Sequence, residues 1–229
     1  DLSVFLGVAK ILIDEELYDE QFVKRFTDLP LLVRTDTLRR LRPEEIFPDY
    51  ELKDLSISFE QHGLTEEQRQ RIGDFVVYDR NQQQPVAISR EDVGDKLQID
   101  PAIEGRFTVE TVDGASVEVM PVMEMYRIHL RDYDPQTIEE ISGAPADKVR
   151  QLAIDLATLK PACIHFGEGI NHYFHATLHN RAVFFVAALT GNIGTHGAGV
   201  FTWAGNYKGG VFHASPWTGP GVGTYTHED

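Results

Sequence analysis

The stretch Ala162-Cys163-Ile164-His165-Phe166 constrains this chain most, because a short, almost unbroken apolar run leads straight into Gly167-Glu168-Gly169. Such a run suits a strand in a parallel sheet covered on both faces. A mostly apolar segment follows from His175 to Thr190, carrying Leu178, Val183, Phe184, Val186, Ala187 and Leu189, and it predicts a buried helix. Strand, glycine turn and helix together make an α/β unit. Glycine lets backbone N–H groups approach a bulky ligand with no Cβ in the way. The opening of a helix then presents free donors and a positive dipole end to an anion. Taken alone, Gly167-x-Gly169 reads equally well as a tight strand-to-helix turn, and it lacks the third glycine of the dinucleotide fingerprint at the expected place. Clustering favours the ligand. Twelve of the 19 glycines lie between 167 and 223, in three separate loops that include Leu189-Thr190-Gly191-Asn192-Ile193-Gly194 and Trp203-Ala204-Gly205-Asn206-Tyr207-Lys208-Gly209-Gly210.

The formal charge of −15 over 229 residues excludes the basic footprint that a nucleic acid or an anionic membrane surface needs. One cysteine, Cys163, allows no disulfide framework within the chain, and its apolar neighbours predict a buried thiol. No apolar run approaches the ~18 residues that cross a bilayer, so no direct membrane insertion is expected. Asp1-Leu2-Ser3 shows no basic leader region and no initiator Met, and the chain reads as the continuation of something longer.

Along the chain, Leu2, Phe5, Leu6, Ala9, Leu12 and Ile13 recur at helical spacing. Asp19 is placed to cap a second short helix with Phe22, Val23 and Phe26, and Leu31-Leu32-Val33 reads as a strand or buried extended segment. Residues 43–64 look irregular. Thr65-Glu66-Glu67-Gln68 fits a capping box for a helix ending near Gly73. Period-two segments then appear at 75–78, 85–88, 106–109 and 116–119, with Val112-Asp113-Gly114-Ala115 as a hairpin turn. Asp134-Pro135 opens a helix that Gly143 ends, and Val149, Leu152, Ala153 and Leu156 form the apolar stripe of the next one.

Seven of nine histidines lie from 165 to 227, and His172, His175 and His179 are spaced i, i+3, i+7. Imidazoles on one helix face can hold zinc. No carboxylate motif accompanies them, so we read them as structural groups near a cofactor. Trp203, Tyr207 and Trp217 are candidates for stacking on a flat heterocycle with Asn206 reading its edge, and ordinary packing accounts for them equally well. Arg181 and Lys208 are the basic residues best placed by sequence to meet phosphate.

Gly167-Glu168-Gly169-Ile170-Asn171-His172, the apolar run into Leu189-Thr190-Gly191-Asn192-Ile193-Gly194, then Gly197-Ala198-Gly199-Val200 and Ala204-Gly205-Asn206-Tyr207, together resemble the molybdopterin oxidoreductases of the dimethyl sulfoxide reductase family. Phe26-Thr27-Asp28-Leu29-Pro30-Leu31-Leu32-Val33 and Gly169-Ile170-Asn171-His172-Tyr173 look closer to the nitrate reductase and nitrite oxidoreductase catalytic subunits. The resemblance covers both ends of the chain and little of 48–120.

The resemblance implies an α/β fold, a Rossmann-like parallel sheet unit flanked by helices with a small β-rich insert, within a larger subunit. Residues 1–47 would be a helical part of the cofactor-binding region, 48–129 the irregular and β-rich insert, and 130–229 the Rossmann-like segment. The implied cofactor is molybdenum bis(molybdopterin guanine dinucleotide), with an iron–sulfur cluster outside the chain. The contacts carried over are Gly167, Glu168, Gly169, Asn171, His172, Asn192, Gly194, Gly205, Asn206 and Tyr207. No residue of the chain is expected to ligate molybdenum. The implied reaction is two-electron oxygen-atom transfer, nitrate/nitrite interconversion in particular, with an iron–sulfur electron-transfer subunit as partner and a small inorganic substrate. Chlorate, selenate, dimethyl sulfide or a hydrocarbon are alternative substrates within the branch. An NAD or flavin module would want an acidic ribose ligand ~20 residues after the turn, where Thr190, Gly191 and Asn192 stand instead. A non-catalytic nucleotide-binding or interaction domain is the remaining alternative.

Overall fold

A computed structural model describes residues 2–53, 55 and 65–202. Helix α1 (Leu2–Asp14) is the central element of the larger core. Its Val8, Leu12 and Ile13 are fully buried and pack with Val23, Leu29, Met123, Leu130, Ile138, Val149, Ala153, Leu156, Val186 and Leu189. Burying each large aliphatic side chain of this kind contributes about 1.5–3 kcal/mol. Gly7 permits the close approach, since a Cβ there would lie 2.7 Å from Cγ1 of Ile138.

The helices around α1 begin and end where local chemistry dictates. Asp19 caps α2 (Glu20–Phe26) by accepting from the Phe22 N–H at 3.0 Å. Asp134 caps α6 (Pro135–Ser142) through the Gln136 and Thr137 N–H groups, and Gly143 closes it in the left-handed conformation. Helix α7 (Ala146–Thr158) buries Val149, Ala153 and Leu156. Leu152 is 37% exposed, so the expected four-residue stripe is one residue narrower.

A smaller core of Leu32, Leu41, Val76, Val109, Val117 and Val119 belongs to the antiparallel region. Strand β1 (Leu32–Arg34) pairs with β5 (Ser116–Pro121), which pairs with β4 (Phe107–Glu110). Strands β2 (Phe75–Asp79) and β3 (Gln84–Ile88) form a separate hairpin. The expected capping box is present, with Thr65 and Gln68 exchanging hydrogen bonds at the start of α4 (Glu66–Ile72). The stretch expected to be irregular contains one short helix, α3 (Pro43–Ile46), because Glu45 accepts from the Arg42 N–H and Pro43 supplies a helical φ. Helix α5 (Val122–His129) then returns the chain to the larger core through Met123.

Strand β6 (Cys163–Phe166) runs parallel to β7 (Gly199–Thr202), with helix α8 (Ala176–Leu189) on the connection. This βαβ unit is the predicted α/β element. Strand β7 went unread in the sequence, because glycine and threonine dilute its apolar signal. Cys163 is exposed rather than buried, because β6 alternates exposed and half-buried residues and Cys163 falls on its exposed side. No helix among the described residues is long and apolar enough to cross a membrane.

Candidate functional site

Parallel pairing aligns Phe166 with Thr202, so both strands end at the same edge of the sheet. Open α/β sheets hold ligands at that carboxyl edge. The chain leaves β6 there through Gly167, passes through a short 3-10 helix over Glu168–His172, and enters α8 only at Ala176. The long helix thus lies where the apolar run from His175 to Thr190 predicted it, with those two residues as its caps. His175 stands before it in a left-handed conformation, φ 59°, which interrupts continuous helix. That interruption also undoes the common helical face expected for His172, His175 and His179. His172 ends the 3-10 helix, and His179 stacks on Tyr173 with ring centroids 5.6 Å apart.

Gly167 and Gly169 differ from every other described glycine. All the rest either adopt a positive φ or, like Gly7, lie against a neighbouring side chain. Gly167 is extended at φ −97°, Gly169 has no positive φ, and a Cβ on either would have no atom within 4 Å among the described residues beyond its chain neighbours. Neither the backbone nor the packing of the described residues asks for glycine at these two positions. Asn171 is exposed, and its Oδ1 accepts from Nδ2 of Asn180 at 2.8 Å, which ties the turn to α8. Between Pro161 and Thr202 the only carboxylate is Glu168 and the only guanidinium is the exposed Arg181, against five histidines. This segment itself therefore carries little of the chain's strongly acidic balance.

The loop after α8 is built differently. Asn192 is 2% exposed, and its carboxamide is committed on both sides. Oδ1 accepts from the Ala162 N–H at 3.0 Å, while Nδ2 donates to the Leu156 carbonyl and to Oγ1 of Thr190, both at 2.8 Å. Thr190 in turn donates to the Val186 carbonyl at 3.0 Å. Gly191 takes φ +66° above the Asp19 carboxylate. That carboxylate also accepts from Lys160 Nζ at 3.0 Å, and the Asp19 N–H donates to the Leu189 carbonyl at 2.7 Å. Burial opposes ionisation of Asp19, but the Phe22 N–H and the Lys160 ammonium outweigh it and hold the carboxyl below the usual carboxylate range. Gly194, at φ +78°, is exposed, and a Cβ there would meet nothing within 4 Å among the described residues.

The structure therefore brings Gly167, Glu168, Gly169, Asn171 and His172 together at one edge, with Asn192 in a buried joint below them. Gly205, Asn206 and Tyr207, with Trp203, Lys208 and Trp217, lie outside the described residues. The joint role of Asn192 was missed in the sequence, where the amide sits among glycines and resembles a ligand contact. Cavities of about 310, 360 and 570 Å³ lie between Gln21 and Val122, away from this edge. Among the described residues no group of histidine, cysteine or carboxylate side chains is arranged to hold a metal ion.

No family model matches the chain. Among curated proteins it is 32% identical over 216 residues to the perchlorate reductase alpha subunit of Dechloromonas aromatica, covering 91% of this chain and 23% of that protein. It is 32% identical over 221 residues to the respiratory nitrate reductase alpha subunit of Haloferax mediterranei, covering 93% of this chain and 21% of the relative. The dimethylsulfide dehydrogenase alpha subunit of Rhodovulum sulfidophilum is 27% identical over 210 residues, 89% of this chain. The chain spans about a fifth of the length of these relatives. Relatedness to such alpha subunits over nine-tenths of its residues, with the glycine-turn βαβ unit inside the matched region, makes the chain a member of the molybdopterin oxidoreductase family.

Proposed function

We propose that the carboxyl edge of β6–β7, through Gly167–His172, holds the dinucleotide arm of molybdenum bis(molybdopterin guanine dinucleotide) within a larger alpha subunit. The observation that carries this reading is the pair Gly167 and Gly169, which lack side chains where nothing among the described residues requires it. A bulky ligand lying against the backbone supplies the missing reason. The donors fit an anion: the first N–H groups of the 3-10 helix have no partner within it and point from its opening. In this reading the βαβ unit is one crossover of a Rossmann-like sheet. In the same reading Gly205, Asn206 and Tyr207 are further contacts to that ligand, and residues 48–129 are the insert.

When bound, the molybdenum centre supplies two-electron oxygen-atom transfer, and the chain's own residues position the cofactor. Backbone N–H groups at the turn neutralise part of its charge without lysines. Asn171, held by Asn180, keeps the turn in one conformation. His172 and Glu168 are offered as contacts to polar edges of the ligand. We put forward nitrate/nitrite interconversion as the reaction, with electrons exchanged through an iron–sulfur partner subunit. Perchlorate-type oxyanions are the second reading, because that relative is equally similar.

The test is Gly169→Val in the full-length subunit. Among the described residues no atom beyond the chain neighbours lies within 4 Å of the added Cβ, so their packing is unchanged. Molybdenum and acid-released guanine nucleotide per subunit should fall several-fold with the melting temperature of the cofactor-free subunit unaltered. Normal loading would refute the site.

A further inference from the structure

We infer that Asn192 is a positioning residue that sets the Gly167–His172 turn from the opposite end of the βαβ unit, not a ligand to the bound group. The inference rests on the cofactor reading above. Helix α8 and strand β6 are antiparallel neighbours joined by the turn, so the turn's shape follows from how the two are registered against each other. Asn192 fixes that register at their far ends. It accepts from the N–H of Ala162, the residue before β6. Through Thr190 it grips the last turn of α8, and its own N–H donates to the Ala187 carbonyl at 2.9 Å. Its other amide hydrogen satisfies the Leu156 carbonyl, one of the carbonyls that the end of α7 leaves without a helical partner. Ala162 also accepts from the Gly199 N–H at 3.3 Å, which brings the start of β7 to the same point. Three elements thus converge on one carboxamide whose acceptor and both donors are in use, and the start of β7 joins them through Ala162. β6 has four residues, so the joint lies about 13 Å below the turn, beyond the reach of a side chain.

Asn192→Asp keeps the shape and reverses the chemistry, because both donors become acceptors facing the Leu156 carbonyl and the Thr190 hydroxyl. In the full-length subunit we expect at least a five-fold loss of guanine nucleotide per folded subunit, and about ten-fold faster amide exchange over residues 163–175. Val149→Ala, in the α7 core, is the control for lost stability alone. It should keep its nucleotide at an equal loss of melting temperature. Equal nucleotide content in the two variants, or unchanged exchange in Asn192→Asp, would overturn the inference and leave Asn192 as an ordinary structural amide. Gly169→Val, measured in parallel, separates the two ideas. Its normal loading would sink the cofactor site itself, whereas its depletion beside a fully loaded Asn192→Asp would sink only the positioning role.

Discussion

A Cβ on Gly191 would lie 2.7 Å from Oδ2 of Asp19, so the loop that closes α8 rests directly on the cap of α2. Gly191 also holds φ +66°, which a residue with a side chain adopts at a cost. Gly191→Ala should therefore destabilise the protein by about 1–3 kcal/mol. Combining it with Asp19→Ala should cost less than the sum of the two single changes, because the crowding is removed with the carboxylate. Urea midpoints for the four proteins of this cycle measure the coupling.

Asp19 should also make stability depend on pH. Its folded carboxyl is depressed below its ordinary value, because the Phe22 N–H and Lys160 outweigh the effect of burial. A depressed acid contributes stability that is fully present above the unfolded pKa of about 3.9 and is lost as pH falls through the lower folded value. Asn at this position keeps a capping oxygen and loses the titrating charge. The stability advantage of the parent over Asp19→Asn, followed by urea unfolding, should hold at pH 5–7 and shrink below about pH 4.

Asp74 is fully buried and holds three groups together. It accepts from Arg69 Nη2 at 2.7 Å, from the Tyr50 hydroxyl at 2.7 Å and from the Lys53 N–H at 2.8 Å. Asp74→Ala should cost about 3–5 kcal/mol, since a buried cation loses its counter-charge. Asp74→Asn, which keeps acceptor capacity, should cost less. The two chemical-denaturation midpoints establish the order.

Gly7→Ala should lower stability despite the better helix propensity of alanine. The propensity gain is about 1 kcal/mol, whereas overpacking against Ile138 costs about 1–3 kcal/mol. In an Ile138→Ala background the same change should become neutral or favourable. Thermal unfolding of both pairs tests the sign.

Elements whose signal is local were legible in the sequence. The Asp19 and Asp134 caps, the Thr65 capping box, the left-handed Gly143 and the hairpin strands all lie where residue chemistry within a few positions requires them. The antiparallel partners of β1 were not legible, because pairing Leu32–Arg34 with Val119–Pro121 depends on contacts some 87 positions away. Periodicity also overstated burial at Leu152 and Cys163, since a stripe says which way a side chain faces and not whether anything stands opposite it.

By itself the sequence determined a glycine turn between an apolar strand and an apolar helix, because steric freedom and hydrophobic patterning are properties of neighbours in the chain. Which glycines the backbone requires, and which neither φ nor the packing of the described residues requires, was decided only by tertiary structure. Gly191 answers to φ and to Asp19, whereas Gly167 and Gly169 answer to neither. The role of Asn192 was decided in the same way. An amide beside glycines is a plausible ligand until folding surrounds it with the ends of α7, α8 and β6, where a buried carboxamide must satisfy its donors and acceptor.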